Sequence, residues 1–181
     1  MEIAEQSTRA EALPGRPMQV AALAAKFEQW RGIVDRMHST TRFTPNERVS
    51  WTPLAKPLAA CTVALVSTAG VRHRDQPPFD LMNEHGDPSP RLLPGDVRAS
   101  DLIVEHTHYD TTDANADQNV VFPIDRLREL AADGTIGAVS PLHVGMMGWN
   151  PDGARVRDET APAVARALRE AGADAAILTP G

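Results

Sequence analysis

Cysteine is almost absent: Cys61 stands alone among 181 residues, and there is a single tyrosine. One thiol excludes an intrachain disulfide, a Cys-x-x-Cys redox pair and a cysteine-built zinc site. Cys61 also opens an apolar run, where a thiol behaves as a small buried hydrophobe rather than as a nucleophile. No apolar run approaches the roughly 20 residues that a membrane helix needs. The opening Met1-Glu-Ile-Ala-Glu-Gln6 has neither the positive start nor the apolar middle of a signal peptide. Basic residues are scattered through a chain of net charge −6, so no stripe follows a phosphate backbone. The expectation is a cytoplasmic protein with no membrane and no nucleic-acid partner.

What is present suits one domain. Hydrophobic residues make up 42% and charged residues 23%, over a length that can bury a real core. Fifteen prolines imply long loops. Residues 1–16 carry Pro14 and Gly15 without apolar period and read as a disordered N-terminus. Within 17–50, Val20, Leu23, Phe27, Trp30, Val34 and Met37 recur at alternating steps of three and four. This predicts an amphipathic helix, weakened by Gly32, and then a linker.

The pattern changes at Cys61. Val63-Ala-Leu-Val66 is a continuous apolar run ended by Ser67-Thr-Ala-Gly70, which reads as a strand buried on both faces. Comparable runs occur at Leu102-Ile-Val104, Ile136-Gly-Ala-Val139 and Ala175-Ala-Ile-Leu178. A helix separates the second run from the third, with Pro123 near its first turn, Ile124, Leu127, Leu130 and Ala131 on one face, and Gly134 at its end. Another separates the third from the fourth, with Pro162 in the first turn, Val164, Leu168 and Ala171 inward, and Gly172 after it. This alternation predicts an α/β domain over 51–181: an open, mostly parallel sheet of about four strands with flanking helices, preceded by the N-terminal amphipathic helix. The first connection is the exception. Residues 71–100 hold Pro77, Pro78, Pro88, Pro90 and Pro94 where a crossover helix belongs, so they cover a site or hide a short strand near Arg91-Leu-Leu93.

Ligands of open parallel sheets bind at the carboxyl ends of the strands. That rule selects Ser67 and Thr68 after the first run, His143 and Gly145 after the third, Thr179 after the fourth, and the dense stretch Glu105 to Asp117 after the second. The stretch holds His106, His108, Tyr109, Asp110, Asp113 and Asn115. Its His-x-His-x-Asp order resembles the zinc-binding run of metallo-β-lactamase-like hydrolases, which His143 would complete, although Thr111 stands where that family places a further histidine. Asp113-x-Asn115-x-Asp117 opens like an EF-hand loop, but Gln118 and Ile124 occupy the positions that need glycine and glutamate, and that reading fails. Two other readings stay open: carboxylates and imidazoles that hold a cationic amine or move protons, and an acidic loop whose Asp and Asn side chains cap the helix after Pro123. Ser67 and Thr68 lie outside any Gly-x-Gly-x-x-Gly fingerprint, so no dinucleotide site is read there.

Six segments in order, Val63-Ala-Leu-Val-Ser-Thr-Ala-Gly70, Gln76-Pro-Pro-Phe79, Gly86-Asp-Pro88, Pro94-Gly-Asp-Val97, His108-Tyr-Asp-Thr-Thr-Asp-Ala-Asn115 and Asn119-Val-Val-Phe-Pro-Ile-Asp-Arg-Leu127, resemble the hallmark segments of the selenoprotein B family of glycine, sarcosine, betaine and D-proline reductases. The resemblance covers about residues 51–181. It implies a subunit of an oxidoreductase that reductively cleaves a carbon–nitrogen bond of a small amino acid or betaine-like amine. It also implies partner reductase subunits, one with a possible pyruvoyl group, and a thioredoxin-like reductant. In the family, the strand matching Ala175 to Gly181 runs directly into a redox selenocysteine. The expectation is therefore that the domain is incomplete at its C-terminus, that selenocysteine follows Gly181, and that the 181 residues alone carry no cofactor and no activity. On the strand-end rule, the candidate catalytic residues are His106, His108, Asp110 and Asp113, with Ser67, Thr68, Tyr109, Asn115 and His143 expected to bind substrate. A metal-dependent hydrolase using His106, His108, Asp110 and His143, or a non-catalytic subunit docking through the Val20–Met37 stripe, are the alternatives.

Overall fold

The computed structural model describes residues 52–151 and 153–180. The disordered terminus expected at 1–16 and the amphipathic helix expected within 17–50 lie outside them. The organising element is strand β1 (Thr62–Ser67), with no polar residue between Val63 and Val66. Alternate side chains of a strand point to opposite faces. Val63 and Leu65 accordingly pack with Ile124 and Leu127 of helix α2 (Ile124–Ala132), and Ala64 and Val66 pack with Val164 and Leu168 of helix α3 (Ala161–Glu170). Leu65 and Ala64 are both fully buried, so β1 is a strand covered on both faces, as its unbroken apolar run predicts.

Strand β7 (Ala175–Thr179) runs parallel along one edge of β1, from Val63↔Ala175 to Ser67↔Thr179. Along the other edge lie two short parallel pieces, β5 (Ala138–Val139) and β6 (Leu142–Gly145). Strand β3 (Arg91–Pro94) adds to β6 antiparallel, which places the short strand expected near Arg91-Leu-Leu93. The sheet is thus open and mostly parallel with helices on both faces, the expected class.

Its membership differs from expectation at two points, since β6 is a strand that no apolar run predicted and one expected strand lies elsewhere. Leu102–Val104, expected as a parallel strand of the sheet, is β4 of a separate antiparallel ribbon with β2 (Val71–His73). Parallel pairing needs a crossover long enough to carry a helix. The prolines of the 71–100 connection prevent that helix, and antiparallel pairing with the segment just after β1 needs none. Leu102 and Val104 still bury into the core cluster of Val63 and Leu65.

Between β5 and β6 the register against β1 slips by two residues, with Ser140-Pro141 at the slip. A slip leaves a backbone N–H of β1 without a ladder partner. His143 supplies one: its Nδ1 accepts from Leu65 N–H at 2.9 Å. The ring is fully buried and meets Phe122 edge to face with centroids 5.9 Å apart. Among the described residues no helix is long and apolar enough to cross a membrane.

Burial, with the Arg128 charge nearby, lowers the His143 pKa from 6.5 to about 4. An unfolded chain takes up this proton near pH 6.5 and the folded chain only near 4. Stability is therefore complete above pH 6.5 and falls as the pH drops toward 4, by on the order of 3 kcal/mol for this ring. His143→Gln keeps an acceptor for Leu65 and removes the titration. The urea midpoint of the wild type is expected to fall further between pH 7 and pH 4.5 than that of the variant, and parallel losses would show that another group titrates.

Candidate active site

The carboxyl ends of β1, β6 and β7 meet at one edge of the sheet. Thr68 N–H donates to Thr179 O at 2.9 Å, and Met146 N–H to Ser67 O at 2.8 Å. The Ser67 and Thr179 hydroxyls both donate to the same backbone carbonyl, Val121 O, at 2.9 and 2.6 Å. Ser67 is fully buried and spends its oxygen on that carbonyl and on Ala69 N–H. Thr68 instead lines an open cleft of about 280 Å³, together with Met146, Met147, Gly148, Val156 and Arg157.

The segment after β4 brings its rings to this edge. A Cβ on Gly70, whose φ is +76°, would meet Glu105 O at 1.9 Å, so only glycine permits the exit of β1 and the end of β4 to approach this closely. Arg72 and Glu105 then form a two-pronged ion pair, with Arg72 Nε 2.8 Å from Glu105 Oε2, and Arg72 Nη1 donates to the carbonyls of His73, Arg74 and Gln76. This pairing holds the Glu105 carboxyl below its ordinary range. Beyond it, Tyr109 OH donates to Ala69 O at 2.8 Å, and burial pushes its pKa up. His106 lies 4.8 Å from the Tyr109 ring and 5.5 Å from that of His108, centroid to centroid. His108 stacks on Trp149 at 4.3 Å with an angle of 18°.

His106 Nδ1 accepts from His108 N–H at 3.0 Å, which assigns the ring proton of neutral His106 to Nε2. That nitrogen faces Gly148, where a Cβ would lie 3.5 Å from it and 2.8 Å from Thr68 O. The bare glycine thus leaves Nε2–H beside the cleft wall. Partial burial, and then the adjacent His108, lower the His106 pKa, so the ring is neutral at neutral pH.

The remaining predicted residues are placed differently. Asp110 Oδ1 accepts from Thr112 N–H and Thr112 Oγ1, at the start of helix α1 (Thr112–Ala116), and these bonds hold its carboxyl below the usual range. Asn115 clamps β4, with Oδ1 accepting from Val104 N–H at 3.1 Å and Nδ2 donating to Val104 O at 3.0 Å. Asp113 is exposed. His143 sits inside the sheet, with Nδ1 engaged by Leu65. Among the described residues no three His, Cys, Asp or Glu side chains converge as a metal-ligand set, so the hydrolase reading of His106, His108, Asp110 and His143 lacks its ligands. Sequence reasoning missed Trp149, Gly148 and Met147. The strand-end rule that selected His143 and Gly145 extends to them once β6 is known to end at Gly145.

The Arg72–Glu105 pair is an anchor for this arrangement. Removing one partner of a buried pair leaves an uncompensated charge, so Arg72→Ala is expected to cost about 3 kcal/mol in urea unfolding. Arg72→Lys recovers less than half of the loss, because an ammonium cannot reproduce the fork and the three carbonyl contacts. A fully restored lysine variant would reduce the pair to simple charge.

Comparison with known proteins finds relatives by sequence. The profile of the glycine/sarcosine/betaine reductase selenoprotein B family matches residues 33–181. The chain is 45% identical over 131 residues to D-proline reductase subunit gamma of Acetoanaerobium sticklandii, covering 72% of this chain and 53% of that protein. It is 30% identical over 135 residues to glycine reductase complex component B subunit gamma of Carboxydothermus hydrogenoformans, and 31% over 138 residues to the subunit of the same name from Symbiobacterium thermophilum. Each of these two alignments covers 74% of this chain and 31% of the relative. The chain thus spans about half the length of the first relative and about a third of the other two. No solved structure matches it. With the six sequence segments and a profile match over most of its length, the chain belongs to the glycine/sarcosine/betaine reductase selenoprotein B family.

Proposed function

We propose that the chain is part of a selenium-dependent reductase subunit that cleaves the carbon–nitrogen bond of a small amino acid or betaine-like amine in the cytoplasm. The observation that carries this reading is the family match over residues 33–181. The names of the relatives as subunits of reductase complexes support partner subunits. A pyruvoyl group on a partner and a thioredoxin-like source of electrons complete the proposed system.

A selenocysteine following Gly181 would supply the nucleophile, because a selenol is ionised at neutral pH where an ordinary thiol largely is not. The fit is local: the β7 exit is held against β1 by the Thr68–Thr179 bond, and the cleft beside Thr68 and Gly148 adjoins it. Cys61 cannot substitute, being fully buried beneath Lys56 and Pro57.

The chain's own contribution is binding and orientation. His106 Nε2–H donates to an oxygen of the substrate, while the stacked His108–Trp149 pair offers a flat wall that packs against its carbon skeleton. Tyr109 holds the loop that carries both histidines to Ala69. Asp110 and Asn115 shape the loop, and Asp113 remains the carboxylate free to face a cationic amine.

In the selenium-containing full-length protein, His106→Ala is expected to lower kcat/KM about tenfold, the worth of one hydrogen bond near 1.4 kcal/mol, at unchanged melting temperature. Because the His106 pKa lies below the ordinary imidazole value, wild-type activity should persist through pH 6.5 and fall only at lower pH, as protonation of Nδ1 breaks the His108 N–H bond. An unaltered kcat/KM would return the ring to a packing role. The selenium itself is tested by reading codon 182 and the selenium content of the native protein; a UAA or UAG codon there would defeat it.

A further inference from the structure

Strand β7 is uncharged and contains neither proline nor glycine. Its residues continue the two apolar layers of β1. Ile177 is in register with Leu65 on the α2 side, and Leu178 with Val66 on the α3 side. Leu65 is fully buried and Val66 9% exposed, yet Ile177 is 41% and Leu178 73% exposed. Among the described residues β7 pairs only with β1, so its outer backbone edge is open as well. A strand meant for the edge of a sheet protects itself with charge, proline or a bulge, and keeps its outer face polar. β7 does none of these: it has the composition of a strand buried on both faces.

We infer that β7 is an interior strand of the assembled reductase subunit, covered by a parallel strand and flanking helices from the half of the subunit that this chain does not match. The occupant is chosen by length and by shape. The shared stretch accounts for 53% of D-proline reductase subunit gamma, which leaves a comparable length of polypeptide to extend the sheet. A second copy of the chain pairing edge to edge would satisfy the β7 backbone but leave the faces at Ile177 and Leu178 without a helix. The inference rests on family membership and on the exposed faces, and not on the role proposed for His106, so the two fail independently.

The test compares the 181-residue chain with the same chain joined to the unmatched segment of the Acetoanaerobium sticklandii subunit. Hydrogen exchange of the β7 amides is expected to slow at least tenfold in the joined protein. Leu178→Glu is expected to leave the melting temperature of the shorter chain unchanged, since that side chain is solvated there, and to lower that of the joined protein by several degrees. Equal β7 exchange in both proteins, an equal effect of Leu178→Glu in both, or a shorter chain already dimeric with protected β7 amides would overturn the inference.

Discussion

The described fold depends on the burial of β1 on both faces. Once Val63 and Leu65 are committed to α2, and Ala64 and Val66 to α3, the strand must have neighbours on both edges, because its backbone has no water to bond. β7 satisfies one edge without interruption. The other edge is satisfied by two pieces whose registers disagree, and the orphaned Leu65 N–H is met by an imidazole in place of a carbonyl. A histidine fully buried in this position has to stay neutral to accept that bond. Its depressed basicity is thus a consequence of sheet geometry and implies nothing about catalysis.

The same economy governs the carboxyl edge. Two hydroxyls that a strand-end rule nominates for substrate, those of Ser67 and Thr179, converge on the Val121 carbonyl and tie the entrance of α2 to the ends of β1 and β7. Thr68, one residue on, is left at the cleft. The rings of His106, His108 and Tyr109 reach this edge from the ribbon of β2 and β4, whose approach requires Gly70 and is fastened by Arg72 and Glu105. The candidate site is therefore assembled from two sheets, and its polar residues divide into those that hold backbone and those that face the cleft.

This division explains how the described residues carry so many polar groups near one edge without three metal-ligating side chains converging. His106 and His108 are close, but one accepts a backbone N–H and the other lies flat on Trp149, so their nitrogens do not converge. Asp110 and Asn115 turn inward to the chain that bears them. A spacing shared with a zinc-binding run is not enough, because coordination needs lone pairs aimed at one point.

Much of the architecture was legible in the order of residues. The unbroken apolar run Val63–Val66 marked a strand covered on both faces, the spacing of Ile124 and Leu127 and of Val164 and Leu168 marked the two covering helices, and six ordered segments pointed to the family. These signals are local: each arises from side-chain direction along a single element. Tertiary structure alone decided the partners. A run such as Leu102–Val104 is equally apolar in a parallel sheet or an antiparallel ribbon, and only the helix-free connection before it, with Gly70 closing the turn, determined which. Likewise a histidine after a strand is chemically the same residue whether it faces a cleft or fills a gap in a ladder. Its role was settled by a two-residue slip on a neighbouring strand, which no pattern in its own surroundings encodes.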